Sequence, residues 1–80
     1  MTISEAVIRR LFQLCDEHGL TINKLSNNAG VTQSTVSDIV NGATNNTGIA
    51  TIKKLCDGLG ITVREFFDAE VFEELEQEVK

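Results

Sequence analysis

The sequence predicts an all-α domain, and three features of its 80 residues favour this fold class. Hydrophobic residues make up 41% of the chain but aromatic residues only 5%, so the core must consist mainly of aliphatic side chains, as packed helices allow. Proline is absent, and hydrophobic residues recur with helical spacing along most of the chain. Glycines and short polar stretches separate these segments, which predicts five short helices rather than a bundle of long ones.

The first two predicted helices are separated by a glycine. Hydrophobic spacing predicts helix one from Ile3 to about His18, where Gly19 can adopt the left-handed conformation that ends many helices. Thr21 is the expected N-cap of helix two, because its hydroxyl can accept a hydrogen bond from a free backbone N–H. Helix two is then about eight residues long and ends at Gly30.

Three further short helices follow. Thr32 is the expected N-cap of helix three, which the pattern places over residues 32–41. A small polar loop leads to helix four, which starts with Ile49, an isoleucine that the spacing places on the inner face. Thr62 is the expected N-cap of a fifth helix, which contains two of the four phenylalanines.

The last segment, residues 69–80, is expected to form an additional acidic amphipathic helix beyond a domain spanning residues 1–68. From Phe67 onward, hydrophobic side chains recur every fourth residue, with acidic residues on the other side. This stripe could fold back onto helix one or helix five, or pair with the same stripe of a second copy. Its members are Phe67, Val71, Leu75 and Val79.

The net charge of −5 is unevenly distributed. Residues 1–64 contain six basic and five acidic residues, a net charge of +1, whereas residues 65–80 contain one basic and seven acidic residues, a net charge of −6. A negative protein is a poor ligand for phosphate, because affinity for phosphate comes from Lys and Arg. The excess negative charge, which is unfavourable for phosphate binding, therefore lies in residues 65–80, and the helical part before it is close to neutral.

The sequence also predicts several classes to which this protein does not belong. The chain contains no apolar run of about 18 residues and no secretory signal pattern, so a cytoplasmic protein is expected. Two cysteines and one histidine are too few for a four-ligand zinc site, and we expect no metal or other cofactor. Cys15 and Cys56 are expected to be buried apolar side chains, with a disulfide or a reactive thiol as alternatives. His18 has no evident catalytic partner, so neither an enzyme nor a small-molecule substrate is expected.

The spacing between helices two and three is typical of a helix-turn-helix. Two helices that cross steeply through a tight turn need a small residue at the crossing, a glycine in the turn and apolar residues that hold the pair to the core. Counted from Ile22, these requirements fall at positions four, five, eight, nine, ten, fifteen and eighteen. They are met by Leu25, Ser26, Ala29, Gly30, Val31, Val36 and Ile39.

The segments GLTINKLSNNAGVTQSTVSDIVNG and TIKKLCDGLGITVREFF resemble the lambda-repressor-like helix-turn-helix family, of the XRE or Cro/repressor type. The resemblance covers about residues 5–68. It implies a five-helix DNA-binding domain, commonly in a dimeric repressor or regulator, whose third helix enters the major groove. The chain departs from the family pattern in three ways: no cation lies between Lys24 and Lys53, no proline precedes helix four, and Val40 replaces an acid.

The resemblance implies that the start of helix three contacts DNA bases. Gln33 is the main candidate for specificity, because a glutamine can bind adenine through two hydrogen bonds worth about 1–3 kcal/mol of discrimination. Asp38 is a weaker candidate, since an acid near phosphates is more often repelled or paired. The full set of candidate base-reading residues is Gln33, Ser34, Thr35, Ser37 and Asp38.

Phosphate contacts are expected from polar side chains around this helix. Hydroxyl and amide groups can donate hydrogen bonds to phosphate oxygens, although they supply no charge. The candidates are Thr21, Thr32, Asn41, Thr44, Asn45 and Asn46. The cations that could assist them are Arg9, Arg10, Lys24, Lys53 and Lys54.

Together these features predict a sequence-specific regulator of transcription that binds double-stranded DNA at an operator. We expect a repressor acting as a homodimer, with activation left open. The alternative is a protein-interaction module with the same fold but weak or no DNA binding, such as an antitoxin-like or accessory partner of a basic protein. The acidic tail and the missing loop cations favour this alternative.

Overall fold

The computed structural model describes residues 1–44 and 46–79, and within them all regular structure is helical. Five α-helices confirm the predicted fold class. They are α1 (Ile3–His18), α2 (Ile22–Ala29), α3 (Gln33–Val40), α4 (Ile49–Leu59) and α5 (Val63–Phe67), followed by a short 3₁₀ helix, η1 (Glu70–Phe72). In the described part of the chain, no helix is long and apolar enough to cross a bilayer.

The expected threonine caps are confirmed. Thr21, Thr32 and Thr62 each accept a hydrogen bond from the backbone N–H three residues later, at 3.1, 3.3 and 3.0 Å. Thr2 does the same for α1 at 3.2 Å, and Glu5 completes the capping box by accepting from the Thr2 backbone. Each of these threonines satisfies an N–H that has no partner within its own helix, which explains where the helices begin.

The core lies where the five α-helices meet. Its largest fully buried side chains are Phe66, Leu11, Leu25 and Leu55. Helices α2 and α4 approach so closely that a Cβ atom on Gly58 would lie 2.8 Å from the backbone nitrogen of Ala29. A glycine is therefore required at this crossing, which fixes the helix-turn-helix unit on the rest of the domain.

Arg10 is buried although it carries a charge. Its Nε donates to the carbonyl oxygen of Phe66 at 2.7 Å, and a terminal nitrogen donates to that of Glu65 at 2.7 Å. The other terminal nitrogen donates to Gln13 at 2.6 Å. The guanidinium thus satisfies carbonyl groups near the end of α5 and joins this helix to α1.

The prediction of a C-terminal helix over residues 69–80 is wrong. Only Glu70–Phe72 is helical, as a single 3₁₀ turn, and the chain to residue 79 is irregular. Carboxylates spaced three and four residues apart, as at Glu70, Glu73 and Glu74, repel each other in a helix. The hydrophobic stripe therefore does not form, and Val79 is 86% exposed.

The tail instead folds back onto its own domain. The ring of Phe72 packs against Phe67 with a centroid separation of 4.9 Å and lies 6.1 Å from Phe66. Further along, the Glu76 N–H donates to the carbonyl oxygen of Met1 at 3.0 Å. Of the two arrangements left open by the sequence, the structure has the tail against helices one and five.

The inner faces of the helices otherwise agree with their hydrophobic spacing, with one exception. Ile49 was expected inside, but it is 70% exposed because it occupies the first position of α4, at the rim of the core. Cys15 and Cys56 are free and buried, as the leading interpretation of these residues predicted. Burial raises the pKa of both thiols above the ordinary value, so the neutral form is favoured.

Candidate nucleic-acid interface

Helix α3 has a polar face that does not pack against the core. Val36 and Ile39 are buried and hold the helix against the domain. Gln33, Ser34 and Ser37 are exposed and lie within about one turn of one another on the outer side of the helix. The core therefore fixes the backbone of α3 while leaving these polar side chains exposed on its outer side.

The turn that presents α3 is short and is closed by backbone hydrogen bonds. Gly30 ends α2 with φ 66°, in the left-handed region, and its N–H donates to the carbonyl oxygen of Asn27. The Val31 N–H then donates to the carbonyl oxygen of Ser26 at 3.1 Å. These bonds close the end of α2 and set the direction in which Thr32 begins the next helix.

The hydroxyl groups at the start of α3 form a small network. The Thr32 hydroxyl accepts from the Thr35 N–H and shares hydrogen bonds with the hydroxyls of Thr35 at 2.8 Å and Ser34 at 3.3 Å. Farther along, the Asn41 side-chain amide donates to the Ser37 hydroxyl at 3.0 Å. Among the described residues, Gln33 makes no side-chain hydrogen bond, so both its amide donor and its acceptor are available.

A polar groove of about 220 Å³ lies between α3 and the loop that leads to α4. It brings together predicted base-reading and phosphate-contacting residues: Thr35 and Asp38 of α3 lie opposite Thr44 and Asn46 of the loop. The loop is held by its backbone, since the N–H groups of Ala43 and Thr44 donate to the carbonyl oxygen of Asp38 at 2.9 and 3.4 Å. The groove therefore joins two of the predicted residue sets at one surface.

Sequence reasoning missed two threonines in this groove. Thr47 and Thr51 also line it, next to Gly48, which is the N-cap of α4 and offers no side-chain hydrogen bond. The first N–H groups of α4 therefore lack a side-chain cap at a groove lined with hydroxyl and amide groups. Such N–H groups and the helix dipole favour an anion. In the sequence, the glycine at position 48, which has no capping side chain, was the one indication that the first N–H groups of α4 would be uncapped.

The remaining predicted phosphate residues lie in different places. Thr21 is exposed at the start of α2 and does not line the groove, and its hydroxyl is occupied as the cap of that helix. Asn41 is exposed at the end of α3, bonded to Ser37. Asn45 lies outside the described residues. The groove thus gathers only part of the predicted set.

The structure reduces the number of available cations. Arg10 is occupied by the carbonyl groups of α5 and cannot reach a phosphate, which corrects the expectation for this residue. Lys53 is exposed but forms an ion pair with Asp57 one turn along α4. This hydrogen bond raises the pKa of Lys53 and keeps its charge, while the neighbouring carboxylate offsets that charge. Arg9, Lys24 and Lys54 remain exposed cations.

An exposed polar helix, fixed to a helical domain through a tight turn, defines a DNA-binding helix-turn-helix regulator. The family model described as helix-turn-helix matches residues 8–66, which include all five α-helices or most of each. The chain belongs to this family, and the resemblance to the lambda-repressor-like type is confirmed. The family consists of DNA-binding regulators rather than enzymes.

One solved structure supports the same conclusion. The chain is similar to prophage Lp1 protein 11, whose crystal structure has 39% sequence identity and a TM-score of 0.81. The match covers 94% of this chain and 99% of the other, so it extends into the tail. A search of curated proteins found no match.

Proposed function

We propose that the protein is a sequence-specific repressor that binds an operator in double-stranded DNA as a homodimer in the cytoplasm. Helix α3 would lie in the major groove, with Gln33, Ser34 and Ser37 toward the base edges. Thr35 and Asp38 would lie at the edge of this contact, beside the groove between α3 and the loop. A second copy would place another α3 about one DNA turn, or about 34 Å, away.

The observation that carries this proposal concerns the side chain of Gln33. It is exposed in the first turn of a helix whose opposite side is anchored by buried Val36 and Ile39. A glutamine without an internal partner can donate to N7 and accept from N6 of adenine only if its backbone is held in register. The buried residues provide this support, and no alternative bond has to be broken.

Phosphate binding would rely on neutral groups more than on cations. Thr44, Asn46 and the first N–H groups of α4 surround the groove, and Thr32 and Asn41 would add contacts from the two ends of α3. Thr21 at the start of α2 and Asn45, which lies outside the described residues, stay predicted phosphate contacts. Each neutralised phosphate contributes about −0.9 to the slope of log affinity against log salt concentration. With few free cations per subunit, we expect a shallow salt dependence and weak non-specific binding.

Selection from a library of random duplexes tests the proposal directly. At about 20 mM salt, conditions that favour phosphate contacts, we expect enrichment of one palindromic sequence. Gln33→Ala should relax the preference at one base pair of each half-site, with a loss of about 1–3 kcal/mol in discrimination. Gln77→Ala, which changes an exposed glutamine of the tail, is the matched control and should leave the preference unchanged.

Two outcomes would contradict the proposal in different ways. An unchanged preference in the Gln33→Ala variant would remove the role assigned to this residue while leaving DNA binding intact. No enrichment at low salt would favour the second function, a protein-interaction module. That function is favoured by the net charge of −6 over residues 65–80 and by the absence of Lys and Arg between Lys24 and Lys53.

A further inference from the structure

Asn41 holds the hydroxyl group of Ser37 at the end of helix α3. The side-chain nitrogen Nδ2 of Asn41 donates a hydrogen bond to Oγ of Ser37 at 3.0 Å. The backbone N–H of Asn41 also donates to the carbonyl oxygen of Ser37, at 2.9 Å. Two hydrogen bonds therefore join these residues, which lie one turn apart on the helix.

The geometry of the helix end keeps this pair together. Asn41 is the C-cap residue and retains helical backbone angles, φ −87° and ψ −2°, so its side chain lies over that of Ser37. The next residue, Gly42, leaves the helix with φ 74°, and its N–H donates to the carbonyl oxygen of Ile39 at 3.2 Å. Ile39 is buried in the core. The pair therefore lies on a stretch of backbone that the core holds in place.

The bond from Asn41 determines which kind of hydrogen bond Ser37 offers to a ligand. A side-chain NH₂ group can only donate, so the Ser37 oxygen is the acceptor and its own proton is not used. Within residues 1–44 and 46–79, no acceptor takes this proton. A hydroxyl that accepts a hydrogen bond is polarised and becomes a stronger donor. The exposed group of Ser37 is therefore an O–H donor.

The neighbouring hydroxyl groups do not have a fixed direction. Oγ of Ser34 and Oγ1 of Thr35 lie 3.3 and 2.8 Å from the hydroxyl oxygen of Thr32, and in both contacts either oxygen can donate. Their protons can therefore rotate to suit a donor or an acceptor on a ligand. Among the described hydroxyl groups of α3, Ser37 is the one whose direction is set by an amide donor.

We propose that Asn41 is a positioning residue that makes Ser37 select a base with a major-groove carbonyl group, guanine or thymine. Guanine presents acceptors at N7 and O6 and thymine presents one at O4, whereas cytosine presents the N4 amino donor. Adenine presents one acceptor and one donor and is intermediate. An O–H donor is therefore favoured opposite guanine or thymine and disfavoured opposite cytosine. The proposal rests on the proposed function, because it names the chemistry of one base that α3 would read.

The same side chain can also contact a phosphate, as proposed above. Asn41 has two amide protons, and the bond to Ser37 uses one of them. The second proton can donate to a phosphate oxygen, a contact that positions the helix on the duplex. Asn41 would thus connect the position of the DNA backbone to the orientation of a base-reading hydroxyl.

Duplex selection with two single variants tests the role of this pair. Ser37→Ala should identify the base pair concerned by reducing the preference there about three- to tenfold, the value of one hydrogen bond. Asn41→Asp replaces the amide donor by a carboxylate, which only accepts, so the Ser37 proton turns toward it and the Ser37 lone pairs face the DNA. At that base pair, the preference should change from guanine or thymine to cytosine or adenine, whose amino groups donate.

Two further variants separate this effect from added charge and from direct contact by Asn41. Asn23→Asp adds the same negative charge at the exposed start of α2 and should leave the base preference unchanged, whatever its effect on affinity. Ser37→Ala combined with Asn41→Asp should show no change toward cytosine, because Asn41 acts through the Ser37 hydroxyl. Three results would overturn the proposal: a guanine or thymine preference that Asn41→Asp leaves unchanged, an equal change in the combined variant, or an equal change in Asn23→Asp.

The hydrogen bond itself can be measured without DNA. In the free full chain, Ser37→Ala should shift the side-chain NH₂ resonances of Asn41 in a proton–nitrogen correlation NMR spectrum and leave those of Asn23 in place. Unshifted Asn41 resonances would also overturn the proposal.

The two proposals fail in different ways. If the role of Asn41 is wrong but the function is right, duplex selection still enriches a sequence that depends on Gln33, and Asn41→Asp does not change the preferred base. If the function is wrong, selection enriches nothing and the base reading by Ser37 fails with it, while the NMR spectrum still reports the bond between Asn41 and Ser37.

Discussion

The Nε of Arg10 lies 2.7 Å from the carbonyl oxygen of Phe66, 56 residues away in the sequence. This contact and its neighbour at Glu65 join the first helix to the last α-helix of the domain. The link uses a charged side chain that is only 8% exposed. It also removes a cation from the set available for DNA, so Arg10 has a structural role.

We expect Arg10→Met to lower the free energy of unfolding by about 2–3 kcal/mol, because it leaves two carbonyl groups near the end of α5 without their donors. Urea unfolding followed by circular dichroism measures this loss. Arg9→Met removes the neighbouring exposed arginine and should change the free energy by no more than about 0.5 kcal/mol. Equal effects of the two substitutions would show that the buried bonds do not contribute.

Gly58→Ala should destabilise the protein although alanine usually stabilises a helix by about 1 kcal/mol relative to glycine. The added Cβ would lie 2.8 Å from the nitrogen and 2.9 Å from the Cα of Ala29, so α2 and α4 must separate. We expect a net loss of about 1–3 kcal/mol in thermal or urea unfolding. Gly48→Ser is the control, since the nearest heavy atom to a Cβ there is 4.0 Å away and serine is a good N-cap.

Stability should decrease as the pH rises above about 9, because burial raises the pKa of Cys15 and Cys56 above the ordinary value of 9.0. Below this pH both folded and unfolded thiols are neutral, and the full stability is present. Above it the unfolded thiols ionise first, which favours the unfolded state until the folded thiols also titrate. Urea unfolding between pH 7 and 10.5 measures the change.

A Cys15→Ala, Cys56→Ala double variant provides the reference for this pH dependence. It retains every lysine and arginine, so the difference between its pH profile and that of the parent protein reports the thiols. The parent should lose more stability across the range than the variant does. Parallel profiles would show that the buried thiols do not contribute.

Phe72→Ala should lower the free energy of unfolding by about 1–2 kcal/mol, because the ring packs at a tilt against Phe67 and Phe66, with centroid separations of 4.9 and 6.1 Å. Unfolding by urea measures the loss. Val79→Ala, at a position that is 86% exposed, should have almost no effect. If Phe72→Ala were equally neutral, the tail would not be part of the folded domain.

The helix starts were the most predictable part of the fold. Thr21, Thr32 and Thr62 identified the starts of three helices, because capping is a local interaction between residues three apart in sequence. The conformation of the tail was not predictable from its hydrophobic spacing. Packing of Phe72 onto the rings of α5 stabilises the chain more than formation of a strongly acidic helix would. Local patterns therefore failed where a tertiary contact competed with them.

The candidate site was predictable only where it lies on a single helix. Gln33 and its neighbours follow from the period of α3, whereas the participation of Thr47 and Thr51 depends on the path of the loop beside them. The burial of Arg10 likewise depends on a partner 56 residues away. Interactions between segments distant in sequence required the structure.

Helix α3 divides its residues between two tasks that do not overlap. Val36 and Ile39 hold it in place, while Gln33, Ser34 and Ser37 make no contribution to the core. Substitutions at the outer positions can therefore accumulate without loss of the folded state. Variants that differ only at these outer positions would therefore share one folded scaffold while presenting different surfaces to a ligand.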